Sequence, residues 1–197
     1  MEVPMNKHLL ITTLLSIALI PFTASAISLT ELQNDPDRYK AVCENKEMTV
    51  YVDNDTISSL RYSPPFYSLS ADVYIVSYER GKIYGETVAM NYDYNQNPDS
   101  IIDRIKAEHP HYTQDQIIHY VSVSSVTNSG IVISCSSKIQ VWTLDGDLTF
   151  TYTGNGYSNK KAPISSPFYH AANYSFLKYY NKLFNANFST RVNKCLY

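Results

Sequence analysis

The sequence predicts an α+β fold in which one main antiparallel β-sheet has its apolar face covered by a C-terminal helix and a shorter middle helix. Three observations lead there. Tyr is abundant, at 18 residues against 7 Phe and 1 Trp, and Tyr favours pleated, half-buried surfaces. Two pairs of segments alternate apolar and polar residues on either side of a turn signal. A stretch near the C-terminus repeats apolar residues at helical spacing. Gly is scarce, at 6 residues, where average content would give about 14.

Residues 27–39 have a short helical or irregular pattern limited by Pro36. Ala41–Cys43 and Met48–Asp53 flank the polar run Glu44-Asn45-Lys46-Glu47 and form a hairpin. Phe66–Tyr78 and Ile83–Tyr94 form the next one. A turn centred on Arg80-Gly81 pairs Tyr78 with Ile83, Tyr74 with Thr87 and Val73 with Val88. Counting outward gathers Tyr67, Leu69, Ala71, Val73 and Ile75 with Tyr94, Tyr92, Met90, Val88 and Glu86 on a core face. The opposite face, with Ser70, Asp72, Tyr74, Val76 and Tyr78, is expected to tolerate water. Ile131–Leu144 and Leu148–Thr153 meet at Asp145-Gly146, which pairs Thr143 with Leu148, Val141 with Phe150 and Ile139 with Tyr152. Trp142 then falls on the wet side. Two hairpins with the same one-sided pattern argue for a sheet covered on one face.

The cover comes from helices. Ser166-Pro167 supplies an N-cap and first helical residue, after which Phe168, Ala172, Phe176, Tyr179 and Leu183 share a side. Pro98–His109 forms a second helix with Ile101, Ile102 and Ile105 buried, and Thr113-Gln114-Asp115-Gln116 resembles a capping box for one more turn or two.

The first 26 residues read as a removable secretory signal. Lys7 and His8 precede an apolar run, Leu9–Ile20, then Pro21 and the small residues Ala24-Ser25-Ala26. The expected cut follows Ala26, because the processing enzyme accepts only small side chains beside it. An uncleaved anchor would need roughly 20 apolar residues, and this run stops at about 14. The expectation is an exported protein, secreted, periplasmic or at the cell surface, with no membrane span once the signal is removed. The remainder from Ile27 is one domain by length. Removing Lys7 and Glu2 together leaves the net charge at −2, so no field of either sign points to nucleic acid.

Cys43, Cys135 and Cys195 follow the signal. In an oxidising compartment an odd count suggests one bridge and one spare thiol, with three possible pairings. Cys135 faces the side where the last helix should lie and Cys195 follows that helix. The expected bridge therefore joins Cys135 to Cys195 and leaves Cys43 spare. No nucleotide loop, nucleophile elbow, zinc-protease or C-x-x-C motif occurs, and no cofactor is expected. Gly154-Asn155-Gly156 leads into no helix, so it reads as a hairpin exit loop. His109-Pro110-His111 lacks further ligands at metal spacing and reads as a helix stop. Asp93, Asn95, Asn97 and Asp99 alternate like a calcium loop, but Pro98 stands where Gly is needed and Arg104 where a bidentate Glu is needed. A strand-to-helix turn uses the same residues, and no metal is expected.

The run Met48-Thr49-Val50-Tyr51-Val52-Asp53-Asn54-Asp55-Thr56-Ile57, followed by Leu60-Arg61-Tyr62-Ser63-Pro64-Pro65-Phe66-Tyr67 and a long strand, resembles small exported bacterial proteins of unassigned role. Asn173-Tyr174-Ser175-Phe176 is similar to their closing segment. These in turn distantly resemble the surface-adhesin protein E family. The resemblance implies an antiparallel sheet packed by a C-terminal helix, and adhesion; it assigns no functional residue.

The leading expectation is a non-enzymatic exported protein that binds a macromolecular or cell-envelope partner. Its contact surface comprises the outer sheet face around Tyr74, Val76 and Tyr78 with the loop residues Arg61, Tyr62 and Phe66, since Tyr and Arg join large contact area to hydrogen-bonding reach. The same tyrosines could instead only stabilise cross-strand pairs. The alternative function is a small extracytoplasmic hydrolase using a carboxylate pair or a Cys/His pair such as Cys135 with His170.

Overall fold

The computed structural model describes residues 26–127, 129–155 and 159–185. Eight strands form one antiparallel sheet: β1 (Tyr39–Glu44), β2 (Met48–Asp53), β3 (Ser58–Ser63), β4 (Phe66–Ser77), β5 (Lys82–Asp93), β6 (Ile131–Thr143), β7 (Leu148–Thr153) and β8 (Lys160–Lys161). The order is β1-β2-β4-β5-β6-β7, with β3 beside β4 and β8 beside β6. Four helices accompany them: α1 (Leu29–Asn34), α2 (Pro98–Glu108), α3 (Gln114–Thr127) and α4 (Pro167–Tyr180). The fold is α+β, with α4 and the α2/α3 pair packed against the sheet.

β2 and β3 share one edge of β4, β2 along Val73–Ser77 and β3 along Phe66–Ser70. A 3₁₀ turn at Asn54–Thr56 separates them. Asp72 lies between the two paired stretches, and its N–H donates to Thr56 Oγ1 at 2.8 Å, so the interruption leaves that donor satisfied.

The β4–β5 register differs from the sequence expectation by two residues. Ser77 pairs with Lys82, Tyr74 with Gly85 and Val73 with Glu86. The four-residue connection ends in Gly81 at φ +59, and this left-handed position closes a longer loop than a two-residue turn. A shift of two preserves the side-chain period, so every residue keeps its expected face. At β6–β7, Val141–Phe150 and Ile139–Tyr152 pair as expected, but Trp142 meets Leu148. Gly146 at φ +101 closes a wider loop, and Thr149 becomes a bulge.

The face carrying Leu69, Ala71, Val73, Val88, Met90, Tyr92, Ile131 and Ile133 is buried under Ala171, Ala172 and Phe176 of α4, Ile101 and Ile105 of α2, and Ile117 and Val121 of α3. Tyr92 is sealed in and donates to the Ala172 carbonyl at 2.8 Å, tying β5 to α4. Ser166 caps α4 as expected. Its buried stripe is Tyr169, Ala172 and Phe176, whereas Tyr179 and Leu183 are exposed: Asn181 at φ +52 ends the helix, so Leu183 is not on it. The capping box at α3 forms reciprocally between Thr113 and Gln116, and the helix runs for 14 residues, longer than expected.

The opposite face is where expectation and structure part. Ile27, Leu32, Tyr39, Tyr51, Val76, Ile83 and Trp142 form a second buried cluster, because residues 27–34 fold back across the outer side of the β4–β5 turn end. Leu29 N–H bonds to the Leu144 carbonyl at 2.8 Å, and Arg38 grips buried Asp53 with its Nε and Nη2 at 3.0–3.2 Å. Gly85 makes room for the cluster: a Cβ there would stand 2.7 Å from Trp142 and 2.9 Å from Tyr74. The sheet is therefore covered on both faces at the β4–β5 turn end, where Val50, Val52 and Val73 face the helices while Tyr51, Tyr74 and Val76 face residues 27–34. The expected signal segment, residues 1–25, and Cys195 lie outside the described residues.

Candidate functional site

The β3–β4 hairpin tip projects from the uncovered end of the outer face. Ser63 pairs with Phe66 across Pro64-Pro65, Tyr62 with Tyr67 and Arg61 with Ser68, while Leu60 bulges out. On the outer face the Arg61 guanidinium sits 5.2 Å from the Phe66 ring centre, a cation–π arrangement that holds both side chains at the surface. Beside them runs a groove of about 170 Å³, lined by Ser68, Asn91, Asp93, Gln96 and Val132. Ser68 Oγ donates to Asn91 Oδ1 at 2.7 Å, giving it a polar floor.

On the inner face Tyr62 is 67% exposed and stacks edge-on against Tyr67 at 5.3 Å and near Tyr180 at 5.9 Å. Tyr180 comes from the last turn of α4 and its hydroxyl reaches Ser59 Oγ at 3.4 Å. The Lys182 ammonium lies 5.2 Å from the Tyr67 ring centre and 5.4 Å from that of Tyr94. The tip thus shows a cation over an aromatic surface on each face. α4 braces it from one side only.

Of the residues the sequence singled out, Arg61, Tyr62 and Phe66 come together here. Tyr74, Val76 and Tyr78 do not join them. Val76 is fully buried. Tyr74 is wedged between Tyr39 at 5.8 Å and Trp142 at 6.2 Å, and burial pushes its hydroxyl pKa above the ordinary value. Tyr78 is partly exposed and its hydroxyl pairs with Thr49 Oγ1 at 2.8 Å, but it stands at the other end of β4, about 40 Å along the strand from Phe66. The expected single surface splits, because α1 covers the part between. A signal was present in the sequence: Tyr51, Tyr74, Val76, Ile83 and Trp142 crowd large apolar groups onto one end of the supposedly wet face.

Sequence reasoning placed Glu86 on the core face without giving it a role. It is half-buried, burial raises its carboxyl pKa, and a hydrogen bond with Cys135 partly opposes that rise. Its Oε2 is buried without a hydrogen-bond partner. Opposite it β6 bulges, since Glu86 pairs with Ile139 and Val88 with Cys135. Cys43 and Cys135 are not bridged to each other, and the expected partner of Cys135 is Cys195, outside the described residues. Cys43 packs partly against the core, and burial raises its thiol pKa. His170 is also half-buried, which lowers its pKa.

The calcium-like alternation is spent on a turn. Asp93 accepts from the Asn95 N–H at 2.9 Å, and Asn97 caps α2 through the Ser100 N–H while donating to the Phe184 carbonyl at 2.7 Å. His109 ends α2 and stacks on Tyr112 at 4.4 Å. Among the described residues no three His, Cys, Asp or Glu side chains converge as metal ligands, and no helix is long and apolar enough to cross a membrane. Compared with models of known families, with curated proteins and with solved structures, the chain matches none.

Proposed function

We propose that this is an exported, non-enzymatic protein that binds a macromolecular or cell-envelope partner, adhesin-like in mode, through its β3–β4 hairpin tip. The observation that carries the reading is the pairing of Arg61 on Phe66 with the exposed Tyr62 braced by Tyr180. Arg and Tyr dominate binding energy at interfaces because they join wide contact area to hydrogen-bonding reach, and the cation–π contact with Phe66 holds the flexible Arg61 side chain in place. Pro64-Pro65 restricts the backbone between them, which lowers the ordering cost on association. The groove beside Arg61 offers hydrogen-bonding groups at the rim of the contact, where polar residues belong.

The hydrolase reading needs a carboxylate pair or a Cys/His pair such as Cys135 with His170, and the hydrogen bond of Cys135 with Glu86 gives it little support. A thiol that donates to a carboxylate stabilises the carboxylate and stays protonated, which is the reverse of what a cysteine nucleophile needs. Cys135 is also only 8% exposed.

The test is capture from the organism's own envelope fraction by immobilised wild-type protein and by the Arg61→Ala/Tyr62→Ala double variant. Both residues are exposed, so the variant should keep its fold, checked by circular dichroism. Loss of a partner that wild type retains supports the tip. Equal capture by the folded variant refutes it.

A further inference from the structure

We infer that the outer edge of β7 pairs with the same edge of a second copy, forming a weak dimer that continues the sheet across a two-fold axis. This surface is separate from the hairpin tip. Among the described residues the sheet has four edge strands that differ in how they are guarded, and β8 is just the two charged residues Lys160 and Lys161. β1 carries Lys40, Glu44 and a bulge between Ala41 and Cys43. β3 carries Arg61, a bulge and the following Pro64-Pro65. Charges, bulges and prolines of this kind keep an edge from adding another strand. β7 has one bulge, at Thr149, and beyond it the run Phe150-Thr151-Tyr152-Thr153 has no charge, proline or glycine. Every residue of β7 is exposed.

The side chains repeat the message. Across the inner face, Ile75, Tyr84, Val141 and Phe150 form one row of opposed residues, and Val73, Glu86, Ile139 and Tyr152 form the next. Towards the edge these rows lose their cover, leaving Phe150 52% and Tyr152 55% exposed. A neighbouring strand would extend an aromatic surface that otherwise stops at solvent.

The partner is a second copy because the strand is complementary to itself. Gly154 N–H bonds inward to the Ser137 carbonyl. By the two-residue alternation of a strand, Thr151 and Thr153 then point their amides outward. An antiparallel pair centred on Thr151 exchanges both hydrogen bonds between the two Thr151 residues and sets Phe150 of each copy opposite Tyr152 of the other. Thr–Thr and aromatic–aromatic pairs are both favourable across strands, and no charge is buried. An aromatic side chain carries about 150–250 Å², so half of each ring contributes about 200 Å² per copy, well below the roughly 800 Å² per partner of a stable complex. The dimer is therefore expected to have a dissociation constant in the micromolar range or weaker.

Sedimentation velocity on the purified full chain, in whatever processed form it is exported, tests this from about 1 to about 500 µM, the range over which so small an interface dissociates. Wild type should shift from monomer to dimer. Thr151→Lys sets two like charges on the two-fold axis; Thr151 is exposed, so the variant should fold and stay monomeric throughout. Phe150→Lys and Tyr152→Glu should pair more tightly when mixed than either does alone, because the new Lys and Glu then face each other across the axis. Wild type remaining monomeric overturns the proposal. Slow exchange of the outward Thr151 and Thr153 amides in that monomer would show the edge to be paired within the chain, and fast exchange would show it open to solvent. Thr151→Lys dimerising like wild type overturns it as well.

Discussion

Glu86 is the residue most at odds with its surroundings. A carboxylate on the core face, with one oxygen buried and unpartnered, is disfavoured in its charged form, and burial accordingly raises its pKa. The folded state thus holds the proton more tightly than the unfolded chain. The penalty is absent where both states are protonated, below the unfolded value of about 4.3. It grows as pH rises through the folded pKa and is full above it. Glu86→Gln should therefore stabilise the protein at pH 7, since the amide has no charge to bury. Below pH 4 the variant and wild type should melt together. Denaturant melts at both pH values check it, and a variant less stable at pH 7 than wild type would show the carboxylate to be favourably held. The sequence showed Glu86 among core-face residues by strand parity alone. It could not show the neighbouring bulge in β6, because Ser136, Ser137 and Lys138 carry no turn chemistry that announces an irregular strand.

Among the elements, the strands were legible because a two-residue period survives an error in loop length. The β4–β5 connection was misjudged by two residues, yet Val73 remained inside and Thr87 outside. Val73→Asp places an unpaired carboxylate at a position with 0% exposure, costing several kcal/mol against a total stability of about 5 to 15, and should abolish cooperative folding. Thr87 is exposed and donates to Asp72 Oδ1 at 2.6 Å. Thr87→Asp exchanges that bond for a like-charge pair across the strands, costing about 1 kcal/mol, and should still fold. Thermal unfolding of the two variants checks this; equal stability would contradict the assignment of faces. The helices were legible where a cap announced them, at Ser166-Pro167 and at Thr113. Helix α1 was legible as a short helical or irregular stretch within residues 27–39, but its covering role was not, because six residues carry too little periodicity to show which face they bury.

At the scale of the molecule, α4, α2 and α3 cover one face of the sheet, while residues 27–34 cover the other face only at its β4–β5 turn end. That arrangement confines the proposed contact surface to the hairpin tip, and among the described residues β7 is an edge strand exposed along its whole length. It escaped the sequence because the clustering of Tyr51, Tyr74, Val76, Ile83 and Trp142 depends on three strand pairings at once. It also depends on an N-terminal segment separated from Trp142 by more than 100 residues. The chain's single tryptophan reports on it directly. Trp142 is 3% exposed, with its indole N–H buried and unpartnered within the protein. Its fluorescence should be blue-shifted and resist quenching by acrylamide, and Leu32→Asp, which disrupts the cover, should shift it to the red while the α4 face stays folded by circular dichroism. A red-shifted, readily quenched tryptophan in the wild-type protein would mean that the outer face is open along its whole length, contradicting the account.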